Sequence, residues 1–335
     1  MDRFEIARSI FERRAFFKLV CGAGNENPVE IRRLATVYTL AGVSGIDLSA
    51  NPSIIRSALE GISRAEELAH KLGRPDVSRP FITVSVGLEG DPHIRKAEIN
   101  RDSCIRCGRC EEVCKQDAVE GAFTIIQERC IGCGRCEEVC EEGAISFLTK
   151  KIELQELIPD CLRAGAEMVE LHAVTLDDNG VMSEWDQINS LAPDNFISMC
   201  LDRSLLSDRH LIQRIHDAYA IAGDRMIVQA DGAPMSGGSD DYRTTLQAIA
   251  TADIVSKSRI PVWILASGGT NSKTRALADL CGVVVHGVSI GTFARKLVKP
   301  YLLSDKSDQD IAALQDAVTA AENLIRVTTS PNRKH

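Results

Sequence analysis

Eight cysteines in one stretch carry the chemistry that this sequence declares most openly. They run Cys104-Ile-Arg-Cys107-Gly-Arg-Cys110-Glu-Glu-Val-Cys114, then Cys130-Ile-Gly-Cys133-Gly-Arg-Cys136-Glu-Glu-Val-Cys140. The copies are in register, so the stretch from Asp102 to Phe147 is an internal duplication. Thiolates spaced Cys-x2-Cys-x2-Cys-x3-Cys hold a cubane iron–sulfur cluster. Three come from one tight turn, and in two-cluster ferredoxins the fourth ligates the neighbouring cluster. The spacing therefore predicts Cys104, Cys107, Cys110 and Cys140 on one 4Fe–4S cluster, with Cys130, Cys133, Cys136 and Cys114 on the other. Zinc and disulfides are the competing uses, since paired Cys-x2-Cys motifs also build closed tetrahedral sites. Zinc knuckles offer two cysteines each, whereas here a third and fourth follow, twice, and soft thiolates at this spacing favour clusters. Lys115 and Glu141 stand where a proline usually follows the fourth cysteine, which bears on the local turn rather than on ligation.

A second set of residues is polar in places where the chain otherwise reads as apolar strand. Lys18, Asp47, Glu170, His172, Gln229, Asp231 and His286 belong to it. If they share one interior they can do acid–base work, a carboxylate beside a lysine or histidine. Lys18, Asp47, Glu170, His172 and Asp231 are the candidates for that role. The plainer reading is a salt-bridged plug, Lys18 with Asp47 or Glu170, because buried charges pair whether or not they catalyse.

A third set is glycine. Gly268 and Gly269, with Gly287 and Gly291 ahead of a helix, suit a phosphate or flavin-phosphate site built from backbone amides and a helix N-terminus. Glycine also serves tight turns with no ligand.

The elements that must position these residues alternate strand and helix. Strand-like runs are expected at Phe17–Cys21, Gly45–Ser49, Phe81–Val86, Met168–Val174, Phe196–Leu201, Met226–Asp231, Val262–Ala266 and Val283–His286. Helices between them carry clear start signals, such as Asn27-Pro28 and Asn51-Pro52, with an N-cap and then proline at the first position. Eight such units predict a TIM-like (β/α)8 barrel, with a doubly wound open sheet as the alternative. A short extra helix expected from Thr292 to Val298 favours the barrel. The cysteine segment then interrupts the third βα loop and caps the C-terminal face. The division is residues 1–90 for the first part of the barrel, 91–150 for the inserted two-cluster ferredoxin domain, and 151–335 for the rest. His93, Arg95 and Lys96, just ahead of the clusters, either anchor that cap or solvate it.

Composition agrees. The chain has 335 residues, 44% hydrophobic, with a net charge of −8. That balance and the lack of a basic stripe argue against nucleic acid. No apolar run is long enough to span a membrane, and Met1 to Ala15 lacks the apolar core of a signal peptide. Of the twelve cysteines, Cys21, Cys161, Cys200 and Cys281 fall outside the motifs and read as buried free thiols, which suits a reducing cytoplasm. The acidic pairs Glu111-Glu112, Glu137-Glu138 and Glu141-Glu142 disfavour adding an electron and point to low potential.

A resemblance goes further than these patterns. Phe16-Phe17-Lys18-Leu-Val-Cys21-Gly22, Tyr38-Thr-Leu-Ala-Gly42, Ile46-Asp47, Asp91-Pro-His93 and Arg95-Lys96-Ala97 carry its first half. Gln229-Ala-Asp231-Gly-Ala-Pro-Met-Ser-Gly237, Gly268-Gly-Thr-Asn-Ser272 and Gly291-Thr-Phe-Ala-Arg-Lys296 carry its second. On these the chain resembles the light-dependent period protein family (LdpA) of cyanobacteria, cluster-bearing redox-input components of the circadian clock. The resemblance implies redox sensing or regulatory electron transfer, with redox and clock-input proteins as partners. The rival expectation is an oxidoreductase whose barrel binds a flavin such as FMN, or a phosphorylated substrate, and exchanges electrons with the clusters.

Overall fold

The computed structural model describes residues 2–22, 24–88, 91, 95–149, 153–233, 238–304 and 310–330. Its core is a closed barrel of eight parallel strands. In chain order they are Phe16–Val20, Gly45–Ser49, Phe81–Gly87, Met168–His172, Phe196–Leu201, Met226–Asp231, Trp263–Ser267 and Gly287–Ile290. Each pairs with the next, and the last closes on the first with Phe16 opposite Gly287. Helices follow the strands and cover the outer face. Asn27 caps the first of these, Pro28–Leu40, by accepting from the amides of Val29 and Glu30, and Asn51 caps Pro52–Ala69 through Ser53.

Side chains alternate across a strand, so every second residue points to the barrel axis and the interior forms layers. The lowest layer is apolar: Phe16, Phe81, Met168, Phe196, Ile227 and Leu265 are buried together. A Cβ on Gly45 would approach the Phe16 ring to 3.0 Å, and one on Gly287 would lie 2.3 Å from the Phe16 carbonyl oxygen. Both glycines therefore make room for one phenylalanine. The next layers hold Lys18, Asp47, Glu170, Ser198, Gln229 and Ser289, then Ser85, His172, Cys200, Asp231 and Ser267, all buried.

A helix that the sequence reading did not anticipate, Arg3–Glu12, closes the lower end. Phe4 stacks on Phe196 with ring centres 4.1 Å apart, and Phe11 stacks on Phe16 at 4.4 Å. Arg3 locks this helix in place through Glu167, with Nε 2.6 Å from Oε1.

The last strand differs from expectation. The valine run Val283–Val285 is not a strand; the strand begins at Gly287. Gly282, at φ 68°, ends the helix Thr274–Cys281 and lets the Val283 amide bond back to Ala278, so the valines serve as a connection. Gly287 to Gly291 is consequently mostly strand. The helix after it, Thr292–Leu303, is longer than the short one expected. Cys21, Cys161 and Cys200 are buried, but Cys281 is exposed at its helix end and is no core thiol.

The segment between the third strand and the helix Leu154–Ala164 forms its own small unit. Its outer strands, Arg95–Ile99 and Ile145–Thr149, pair antiparallel with Lys96 opposite Leu148. Between them lie a hairpin, Val119–Glu120 with Thr124–Ile125, and two helical turns, Arg109–Glu112 and Arg135–Glu138. No helix among the described residues is long and apolar enough to cross a membrane.

Candidate functional site at the barrel mouth

Two groupings of chemistry-bearing residues face each other across the top of the barrel. The lower one is an ionic network inside it. Lys18 Nζ donates to Glu170 Oε2 at 2.5 Å and sits 3.9 Å from Asp47. Ser198 donates to the same Glu170 oxygen at 2.9 Å, while Gln229 donates to the other at 2.7 Å and is itself held by Ser289 at 3.0 Å. Ser85 donates to Asp47 at 2.6 Å. His172 places Nε2 3.6 Å from Glu170 and Nδ1 3.1 Å from Asp91. Cys200 donates its thiol proton to Asp231 at 3.1 Å.

Burial and pairing compete at each of these groups, and the winner differs from one to the next. Burial alone would raise Glu170, but the adjoining Lys18 and His172 hold its carboxyl down at about 2. At Asp47 burial wins over the more distant Lys18 and pushes the carboxyl to about 6. Burial opposes a charged His172, yet Asp91 and Glu170 raise its pKa well above the ordinary value. Asp231 is raised by burial, only partly offset by Ser267 and Cys200. Two carboxylates with opposite shifts share one lysine, the pattern that separates a fixed anion from a group able to trade a proton near neutrality.

Of the sequence candidates, Lys18, Asp47, Glu170, His172, Gln229 and Asp231 come together. His286 does not: it precedes the last strand, accepts from the Ile264 amide and packs edge-on against Trp263. Burial keeps it neutral, with a pKa of about 4.

Above the network is a cavity of about 110 Å³. Asp47, Glu170, His172, Gln229 and Asp231 line it below, and Gly268, Gly269 and Gly291 with Thr292 line one side. Gly268 and Gly269 adopt φ 67° and 77°, which L side chains disfavour. A Cβ on Gly268 would lie 2.7 Å from the Gly232 amide nitrogen. Gly287 is absent from this lining, having the packing role described above. His93 and Pro234 to Gly237 lie outside the described residues.

The upper grouping is the insert. Its residues Gln116 and Ile131 complete the cavity from above. Arg295 binds both Glu30 oxygens, approaches Asp117 at 3.7 Å and donates to the Lys115 carbonyl at 3.3 Å. Lys299 pairs with Asp117 at 2.9 Å. Lys96 donates to the carbonyls of Gly24, Gln127 and Cys130, so one ammonium joins barrel and insert. Arg95 donates to Gly132 within the insert.

The eight motif cysteines fall into two sets in space. Cys104, Cys107, Cys110 and Cys140 line one small cavity; Cys114, Cys130, Cys133 and Cys136 line another. The repeats match in backbone detail. Arg106 and Gly132 both adopt left-handed φ, as do Gly108 and Gly134. Ala118 N–H points at Cys114 sulfur and Ala144 N–H at Cys140 sulfur, each at 3.3 Å. Four soft donors in each set, with amides aimed at the sulfurs, fit a cubane cluster.

Comparison with known proteins follows the same division. Residues 97–120 and 123–146 match the family model of the 4Fe-4S binding domain. Residues 161–327 match that of the Light dependent period A C-terminal domain. Light dependent period A from Synechococcus elongatus (strain ATCC 33912 / PCC 7942 / FACHB-805) is 32% identical over 327 residues, covering 92% of this chain and 90% of that protein. The chain belongs to the Light dependent period A family. Its iron–sulfur motifs and this kinship make it an iron–sulfur regulatory protein. Among solved structures, the YdjI aldolase from Escherichia coli K12 aligns over 99% of this chain and 98% of its own, at 8% identity and a TM-score of 0.49. Tryptophan synthase from M. tuberculosis aligns over 96% and 98%, at 8% identity and a TM-score of 0.47. At these scores neither likeness carries an argument about this chain.

Sequence reasoning missed Asp91, Ser85, Ser198, Ser289, Cys200 and the Arg295–Glu30 pair. Small hydroxyls within strands give no signal of their own. The period-two alternation within Phe196–Leu201 puts Cys200 on one face with Phe196 and Ser198, but only the strand register shows that this face meets Glu170 and His172.

Proposed function

We propose that this family member senses redox state through two crossed 4Fe–4S clusters and passes the signal to the barrel mouth. In this reading Cys104, Cys107, Cys110 and Cys140 hold one cluster, and Cys114, Cys130, Cys133 and Cys136 the other. Cys107 is exposed, offering an approach for a redox partner protein. The second cluster's loops meet the barrel. The observation that carries the proposal is that Gln116 and Ile131, each within two residues of a cysteine of that second set, form the roof over the buried ionic network. An added electron places negative charge beside that roof, where interactions are weakly screened. The family kinship extends the reading to light-dependent, clock-linked input through partner proteins.

The test is hydrogen exchange on oxidised and reduced protein under anaerobic conditions. Reduction should change protection at residues 115–118, 128–132 and 291–299. A change confined to residues 97–114, or none at all, would remove the link from cluster to barrel.

One observation favours a second reading, an oxidoreductase acting on a phosphorylated molecule. The paired left-handed glycines and the N-terminus of the helix Thr292–Leu303 both face the cavity, an arrangement that suits an anion. Nothing among the lining residues selects FMN over a smaller phosphate ester.

A further inference from the structure

The ionic network contains a set of donor atoms that the redox reading does not use. Glu170, His172 and Cys200 each offer one ligand atom, and these atoms all lie within 4.8 Å of one another in the buried barrel interior. Around one tetrahedral ion with ordinary Zn–N, Zn–O and Zn–S bonds, ligand atoms stand roughly 3.4–3.8 Å apart, so a modest contraction closes the set. Glu170 Oε1 and His172 Nε2 are already 3.6 Å apart. A second, independent observation points to the same place. Asp231 is 8% exposed, its Oδ2 receives the Cys200 thiol at 3.1 Å, and its Oδ1 is buried with no hydrogen-bond partner among the described residues.

We propose that Glu170, His172 and Cys200 form a mononuclear site for a divalent transition ion of the zinc class, with Asp231 beside it. The surrounding contacts suit that use. His172 faces Asp91 through Nδ1 at 3.1 Å and turns Nε2 toward Glu170 at 3.6 Å, the orientation of a carboxylate–histidine–metal arrangement. Lys18 and Ser198 hold the other oxygen of Glu170. A mixed nitrogen, oxygen and sulfur set selects zinc or a neighbouring transition ion over magnesium or calcium. Because Glu170, His172 and Asp231 line the cavity, the remaining position would open upward. It would take Asp231, water, or a carbonyl or phosphate oxygen of a bound molecule. The ion would act as a Lewis acid directly beneath the iron–sulfur insert. The alternative occupant is a proton, with His172 simply ion-paired between Asp91 and Glu170.

Zinc alone is the probe, on the full chain with its clusters in place. The protein is equilibrated with zinc anaerobically, passed through gel filtration, and measured for zinc, iron and sulfide. One zinc per chain should remain, with iron and sulfide unchanged. Zinc K-edge absorption, which ignores the iron clusters, should show one sulfur at about 2.3 Å with nitrogen and oxygen neighbours. Cys200→Ser and His172→Gln should each weaken zinc binding at least tenfold while keeping iron. Asp91→Asn retains all three ligands and should weaken binding about 10–100-fold, which decides the matter even if Cys200→Ser loses its clusters. No retained zinc, a four-sulfur shell, or equal retention by all three variants overturns the site.

Discussion

Arg295 grips Glu30 with two prongs, Nε 2.7 Å from Oε1 and Nη2 2.9 Å from Oε2, at the seam where the insert meets the barrel. Asn25 adds a third donor to the same carboxylate at 3.0 Å. Removing the guanidinium leaves Glu30 buried without its counter-charge, which costs roughly 3–5 kcal/mol. Arg295→Leu should therefore lower the melting temperature by on the order of 10 °C. Arg295→Lys keeps the charge but not the fork, and should fall between. A leucine variant melting within a degree of wild type would show that the pair is incidental.

Crossed ligation makes an unusual demand on mutants. Cys140→Ser should damage the cluster of Cys104, Cys107 and Cys110, although Cys140 belongs to the other repeat. Iron should drop from about eight toward about four per chain. Spectroscopy of the remainder, in combination with Cys104→Ser, tells which cluster survives. If the two changes together remove both clusters while each alone removes a different one, the crossing is lost.

The glycine-lined side of the cavity gives a third expectation. Phosphate, at millimolar levels, should raise the melting temperature of the wild type, since a ligand that prefers the folded state stabilises it. Gly269 sits at φ 77°, a conformation a valine resists, and a side chain there would cover the amides. Gly269→Val should abolish the phosphate shift without altering iron content. A wild type indifferent to phosphate argues against any anion there and weakens the oxidoreductase reading.

Glu184, outside the cysteine motifs, supplies a pH test. It lies on the helix Asp178–Leu191, its Oε2 is buried without a partner among the described residues, and burial raises its pKa to about 7. A carboxyl whose folded pKa is raised destabilises the fold when ionised. The penalty is absent below about pH 4, grows as pH rises, and is complete above about 7. Glu184→Gln should leave the melting temperature unchanged near pH 4.5 and raise it by a degree or two at pH 8. Partial solvent exposure keeps the gain that small. Parallel curves for variant and wild type across this range would refute it.

The barrel was legible because its strands are short apolar runs bounded by caps and glycines, and seven of the eight runs lie where the pattern put them. The eighth misled because Val283 to Val285 has the composition of a strand. The preceding helix end, fixed by Gly282, claims those residues first. The helix Arg3–Glu12 carried a usable signal, Phe4, Ala7 and Phe11 at helical spacing, that went unread. Polar strand residues announced the ionic network, but its shape was beyond the sequence. Arg295 and Glu30, or His172 and Asp91, become neighbours only when the barrel closes and the insert folds back.

The aromatic floor has one more consequence. Phe4 and Phe11 stack on Phe196 and Phe16 across the lower end, and the apolar layer to which those two belong is buried throughout. Water, protons and small molecules therefore have no passage through that end among the described residues. At the other end, Gln116 and Ile131 stand over the cavity that reaches Glu170. Among the described residues the barrel is a vessel with a sealed floor, and the iron–sulfur insert stands over its mouth.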